Sequence, residues 1–160
     1  MYEKDAGLWH DLGQVKKAAG DEAGAQADFE KARTIEPRFV PPLVQLATLA
    51  LRRENWQAVV EYGQEAVAIN PVDYPETWLY LATARLKLGD SEQAERDARK
   101  AIDGSKPVLK AHHILGVALA LQNRTDEAIE QLRIYVQRAP KGPETEAVRR
   151  QIEALEAERR

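Results

Sequence analysis

Few residues in this chain are of the types that break bonds or hold metals, and their spacing works against both. The histidines are His10, His112 and His113. Neighbouring residues on a helix point about 100° apart, whereas ligand pairs on a helix sit at i and i+4, so His112 and His113 cannot share one ion. The serines, Ser91 and Ser105, fall at turns. Asp126, Glu127 and Glu92 read as helix-start charges favoured by the helix dipole. No HExxH, Walker loop, GxSxG or GxGxxG occurs, and without cysteine there is no thiolate nucleophile or disulfide frame. The expectation is a chain that is not an enzyme and carries no metal or cofactor.

The elements that place these residues follow from composition. Of 160 residues 25 are alanine, 44% are hydrophobic and only 6% aromatic. Large aromatics fill thick globular cores, while many alanines suit helices packed at close range, so the fold class expected is all-α. A net charge of -3 argues against a nucleic-acid partner, which calls for a basic patch. No run of about 18 apolar residues is present, so no membrane insertion is expected. The charged start, Met1-Tyr2-Glu3-Lys4-Asp5, lacks the apolar stretch of a leader.

Internal repetition organises the chain. Leu12, Leu46, Leu81 and Leu115 recur at separations of 34, 35 and 34. The next column holds Gly13, Ala47, Ala82 and Gly116, all small. Another holds Ala25, Val59, Ala94 and Ala128, and a fourth Ala32, Ala66, Ala101 and Tyr135. Trp9, Leu43, Trp78 and His112 precede the leucines by three, which reads His112 as a packing residue.

In these columns the sequence resembles the tetratricopeptide repeat (TPR) family, with its 34-residue helix–turn–helix unit. Trp9, Leu12, Gly13, Gly20, Ala25, Phe29, Ala32 and Pro37 carry the first match; Leu115, Gly116, Ala128, Leu132 and Pro140 carry the fourth. The resemblance implies a right-handed superhelical solenoid of four units, about 6–39, 40–74, 75–108 and 109–142, closed by a capping helix at 143–158. The alanine-rich, cysteine-free character looks bacterial; compartment stays open between cytoplasm and periplasm.

Turn signals divide each unit in two. Gly20-Asp21, Glu54-Asn55, Gly89-Asp90 and Asn123-Arg124-Thr125 each end one helix, with Asp21, Asn55, Asp90 or Thr125 as caps for the next. Pro41-Pro42, Pro75, Pro107 and Pro143 are expected to open helices. Helices are therefore predicted near 6–19, 22–35, 41–53, 55–69, 75–88, 91–103, 107–122, 125–138 and 143–157. Leucines and tryptophans are expected between successive pairs. Gly63 and Ala98 stand where the outer repeats have Phe29 and Leu132, predicting tighter or defective packing there. Tyr135, in an alanine column, should hold off its neighbour and end the stack. The neighbour is the last helix, with Ala147, Val148, Ile152 and Leu155 inward and Arg149, Glu153, Glu156 and Arg160 in solvent. The first repeat has no comparable cap, which points to sequence upstream.

The resemblance also implies a ligand groove, lined by the first helix of each pair. Carried over position by position, its residues are His10, Gln14, Val44, Gln45, Thr48, Arg52, Leu79, Tyr80, Thr83, His113 and Val117. They lie off the packing face by helical spacing. TPR adaptors that clamp a terminal carboxylate use lysines and asparagines; His10, Gln14, Gln45, Glu76 and Tyr80 stand there instead, and Glu76 would repel a carboxylate. The expected partner is a protein or peptide held by apolar anchors and amides. The alternative is a segment that oligomerises, as a homo-oligomer, or regulates a larger, enzymatic protein.

Overall fold

A computed structural model describes residues 4–104 and 106–159. Among them are nine helices and no strand: α1 (Ala6–Ala18), α2 (Glu22–Ile35), α3 (Val40–Arg52), α4 (Trp56–Ile69), α5 (Pro75–Lys87), α6 (Ser91–Asp103), α7 (Lys110–Leu121), α8 (Thr125–Arg138) and α9 (Pro143–Glu158). The chain forms two compact units, Met1–Tyr80 and Leu81–Arg160, whose boundary falls inside α5.

The turns are built as the repeated Gly-Asp pairs require. Gly20 and Gly89 take positive φ, 85° and 84°, where a Cβ would be strained. Glu54 and Asn123 occupy the same turn position with φ of 54° and 60°. Asp21, Asn55 and Asp90 then cap the next helix, their side chains accepting from the amides of Gly24, Ala58 and Gln93. Asp5 does the same for α1, accepting from Leu8 N at 3.1 Å. Thr125 is no cap: Arg124 holds that position without a side-chain bond, and its guanidinium turns instead to Glu95 and Glu127. Pro41-Pro42, Pro75 and Pro143 open helices as expected. Pro107 does not. Residues around it are drawn back onto α6 by Val108 N donating to Ala101 O, and α7 begins only at Lys110.

In the first unit α1 and α2 form one hairpin and α3 and α4 another. Ala25 and Phe29 of α2 pack with Leu46 and Leu49 of α3. Val40, Leu43 and Ala66 form a second cluster, flanked by Val44, Ile69 and Tyr74. In the second unit Ala98 of α6 packs with Leu115 and Leu119 of α7, together with Ala82 and Ala128. Ile129, Leu132 and Tyr135 of α8 meet Val148 and Ile152 of α9.

Size complementarity runs inside each hairpin. A Cβ on Gly13 would sit 2.6 Å from Cε1 of Phe29, and one on Gly116 2.6 Å from Cγ of Leu132. Each glycine is the space that its large partner fills. In the middle hairpins Ala47 and Ala82 stand in register with Gly63 and Ala98, and all four are buried.

Three expectations are corrected. Leu12 shares its column with buried leucines, yet is 40% exposed, because among the described residues no helix precedes α1 to cover it. Ala147 is exposed, its place inside α9 taken by Thr145, whose hydroxyl donates to Pro140 O at 2.7 Å. Tyr135 is buried against α9 rather than standing clear of it, stacked on His113. Arg160 lies outside the described residues.

Candidate functional site

In the first unit several of the exposed-side residues of α1 and α3 already have partners. Lys17 Nζ donates to Gln45 Oε1 at 2.6 Å, tying α1 to α3. Thr48 Oγ1 donates back to Val44 O at 2.8 Å, a local bond that a helical threonine makes readily. His10 packs against the rings of Phe29 and Phe39, both at 5.7 Å, with Nε2 buried and unbonded. Gln14 and Val44 are half-buried; Arg52 reaches Glu22 at 2.7 Å. On α5, Leu79 and Tyr80 of this unit and Thr83 of the next are also half-buried.

In the second unit α7 and α9 frame an open recess of about 310 Å³. Val117, Ala120 and Leu121 form one wall, Ala154 and Leu155 the other, Leu132 the floor, and Gln151 the polar edge. Leu121 is 62% exposed at its rim. His113 lies one turn earlier on α7, its ring 5.4 Å from that of Tyr135 and its Nε2 3.3 Å from Gln151 Oε1. Burial holds the imidazole below its ordinary pKa, a shift the Gln151 contact partly opposes. Lys110 and Glu144 pair at 2.8 Å nearby, and the ammonium lowers the carboxyl.

The recess offers apolar area with one amide, the chemistry that seats a hydrophobic side chain and fixes its backbone. Among the described residues no group of three or more His, Asp or Glu is placed to hold a metal. Nor is any helix there long and apolar enough to cross a membrane. Val117 and His113, read from the sequence as ligand-facing, adjoin this recess. Gln151 and Ala154 escaped that reading because α9 has no repeat partner to align with.

Charged residues are used elsewhere. Lys16 Nζ lies 2.7 Å from Asp28, which is 4% exposed, and Arg85 pairs with buried Asp97. His112 Nδ1 meets Gln131 Oε1 at 2.8 Å between α7 and α8, a packing contact.

The geometry has known counterparts. The family model described as tetratricopeptide repeat matches residues 6–39, and a second of that description matches 79–143. The E3 ubiquitin-protein ligase CHIP of Arabidopsis thaliana is 31% identical over 81 residues, which is 51% of this chain and 29% of that protein. This chain therefore spans under a third of that relative. Among solved structures, MamA superposes with a TM-score of 0.78 at 21% identity, over 86% of this chain and 74% of that one. YrrB, described as a TPR protein with an unusual peptide-binding site, gives 0.77 at 17%, over 86% and 70%. A tetratricopeptide repeat protein from Parabacteroides merdae ATCC 43184 gives 0.78 at 14%, over 95% and 59%. At these identities the likeness is one of fold, an all-α TPR solenoid. With the repeat matched at both ends and the helix–turn–helix units observed between, this chain belongs to the tetratricopeptide repeat family.

Proposed function

We propose that this chain is a non-catalytic interaction module of four repeats, about 6–39, 40–74, 75–108 and 109–142, with a cap at about 143–158. It docks a peptide or helix of a partner protein on the ligand-facing sides of its first helices. The observation that carries this is the α7–α9 recess, where Val117, Leu121, Ala154 and Leu155 leave apolar area open beside Gln151. The amides Gln14 and Gln45 and the hydroxyls of Thr48, Tyr80 and Thr83 extend the same chemistry on the earlier helices. A hydrophobic anchor in the recess, with a neighbouring backbone amide on Gln151, is the expected mode.

The test begins with 16-residue peptides selected by phage display on the wild-type chain. Val117→Arg places a charge in the recess while leaving the packing columns intact. Selected peptides should bind that variant at least about tenfold more weakly by fluorescence anisotropy. Undiminished binding by a folded variant removes the recess as the site. Thr48→Arg probes the first unit by the same measurement.

A further inference from the structure

Gln151, the polar edge of the α7–α9 recess, has its amide oriented by a neighbour. Its Oε1 lies 3.3 Å from His113 Nε2, while the other ring nitrogen, Nδ1, is buried without a hydrogen-bond partner. A neutral imidazole carries one proton. On Nδ1 that proton would be a buried donor with nothing to accept it, the costlier kind of orphan. On Nε2 it points at Gln151 and leaves only a lone pair unmatched. Burial favours the neutral ring, and the stack on Tyr135, 5.4 Å between centroids at 27°, fixes its plane. His113 therefore donates from Nε2, and Gln151 turns its oxygen toward α7.

The amino group of Gln151 is then directed away from His113. One turn either way along α9 stand Ala147, Val148, Ala154 and Leu155, none with a side-chain acceptor. The facing wall on α7 is apolar, and no charged residue lines the recess. Lys110 and Glu144, the charges beside His113, pair with each other at 2.8 Å. What the recess presents to a ligand is thus apolar area with one neutral donor and no unpaired cation. A neutral donor suits a main-chain carbonyl. A helix spends its interior carbonyls on its own amides and frees only the last four, whereas an extended segment keeps them unpaired.

We infer that Gln151 sets the form of the ligand: held by His113 as a donor, it takes a main-chain carbonyl beside the hydrophobic anchor. It thereby selects an extended, internal segment of a partner protein over a helix or a terminal carboxylate. Gln151 touches the ligand, and His113 is a positioning residue. This inference rests on the recess being the binding site, as proposed above.

The phage-selected peptides test the recess first. If folded Val117→Arg binds them undiminished, the recess falls and the role of Gln151 with it. Where Val117→Arg disrupts binding, two variants at the exposed Gln151 decide the rest, with circular dichroism verifying their fold. Gln151→Glu keeps an oxygen for His113 but replaces the donor with a second acceptor, and should weaken binding at least about tenfold. Gln151→Met removes the donor without adding charge and should cost about fivefold. Equal or tighter binding by either variant overturns the inference and leaves the recess standing. Amide-to-ester replacement along a selected peptide weakens one carbonyl acceptor at a time. At one position it should weaken binding to the wild-type chain and have no effect on Gln151→Met; equal losses in both proteins overturn the contact. A hydrocarbon-stapled, helical form of the same peptide should bind at least about tenfold more weakly, and equal binding overturns the preference for an extended ligand. Proton–nitrogen correlation NMR, with the ring assigned by its loss in His113→Gln, should find the His113 proton on Nε2; a proton on Nδ1 overturns the orientation.

Discussion

Arg85 of α5 and Asp97 of α6 form a buried ion pair at the two positions that Lys16 and Asp28 hold in the first hairpin. The second and fourth hairpins place Ala50 with Tyr62, and Leu119 with Gln131, in the same register. Burial pushes the Asp97 carboxyl up, against the pull of Arg85. Asp97→Gln alone strands the buried guanidinium and should cost about 3–5 kcal/mol. Arg85→Leu with Asp97→Gln copies the fourth hairpin and should be near neutral or stabilising. Urea denaturation of the three proteins checks this; an equally large loss in the double variant would refute it.

Gly13 and Phe29 give a prediction whose sign depends on background. In the native chain Gly13→Ala drives a methyl into the Phe29 ring and should cost about 1–3 kcal/mol. After Phe29→Ala has opened a cavity, the same methyl fills part of it and should stabilise. A double-mutant cycle in urea measures both. Additivity within about 0.5 kcal/mol would show that the two positions do not share the space.

At the turn between α3 and α4, Glu54 bears a Cβ at φ 54°, where the corresponding turns use glycine at Gly20 and Gly89. Glu54→Gly should raise stability by about 0.5–1 kcal/mol, the relief of a left-handed conformation less the added freedom of the unfolded chain. Asn123→Gly should gain less, since asparagine tolerates this region better. Thermal unfolding of the two variants side by side reads the order.

His113 makes stability depend on pH in one direction. Its folded pKa lies below the unfolded value of about 6.5, so the native state prefers the neutral ring. That contribution is complete above about pH 6.5 and is lost as pH falls toward the depressed folded value. Tyr135, Gln151, Lys110 and Glu144 surround the ring, and Glu144 partly offsets the burial. The urea midpoint should therefore fall between pH 7.5 and 5.5, and fall less in His113→Gln. An identical fall in both proteins would assign the effect to other groups.

The division into helices was legible because each hairpin turn repeats Gly or its substitute beside Asp or Asn. Two boundaries were hidden for local reasons. Pro107 looks like a helix opener, but the backbone bond from Val108 to Ala101 delays α7 by three residues. Arg124 occupies the cap column of Asp21, Asn55 and Asp90, and the familiar capping type of Thr125 drew attention one residue too far. The ion pairs were not visible at all. Lys16 and Asp28 are twelve residues apart on different helices, a spacing that acquires meaning only once the hairpin closes. For the candidate site, Val117 and His113 could be read from register, whereas Gln151 and Ala154 depend on how the unrepeated α9 comes to rest beside α7.

The reciprocal fit of Gly13 with Phe29 and Gly116 with Leu132, against Ala82 with Ala98, bears on how such a chain can be inherited and rearranged. Each fit is closed within a stretch of seventeen residues, so it travels intact with its own hairpin. A duplication or deletion that cuts at the hairpin borders leaves every fit whole. A crossover that joins the first helix of one hairpin to the second helix of another instead faces Ala82 with Phe29, or Gly116 with Ala98, producing a clash or a hole. The hairpin, rather than the helix, is the heritable part.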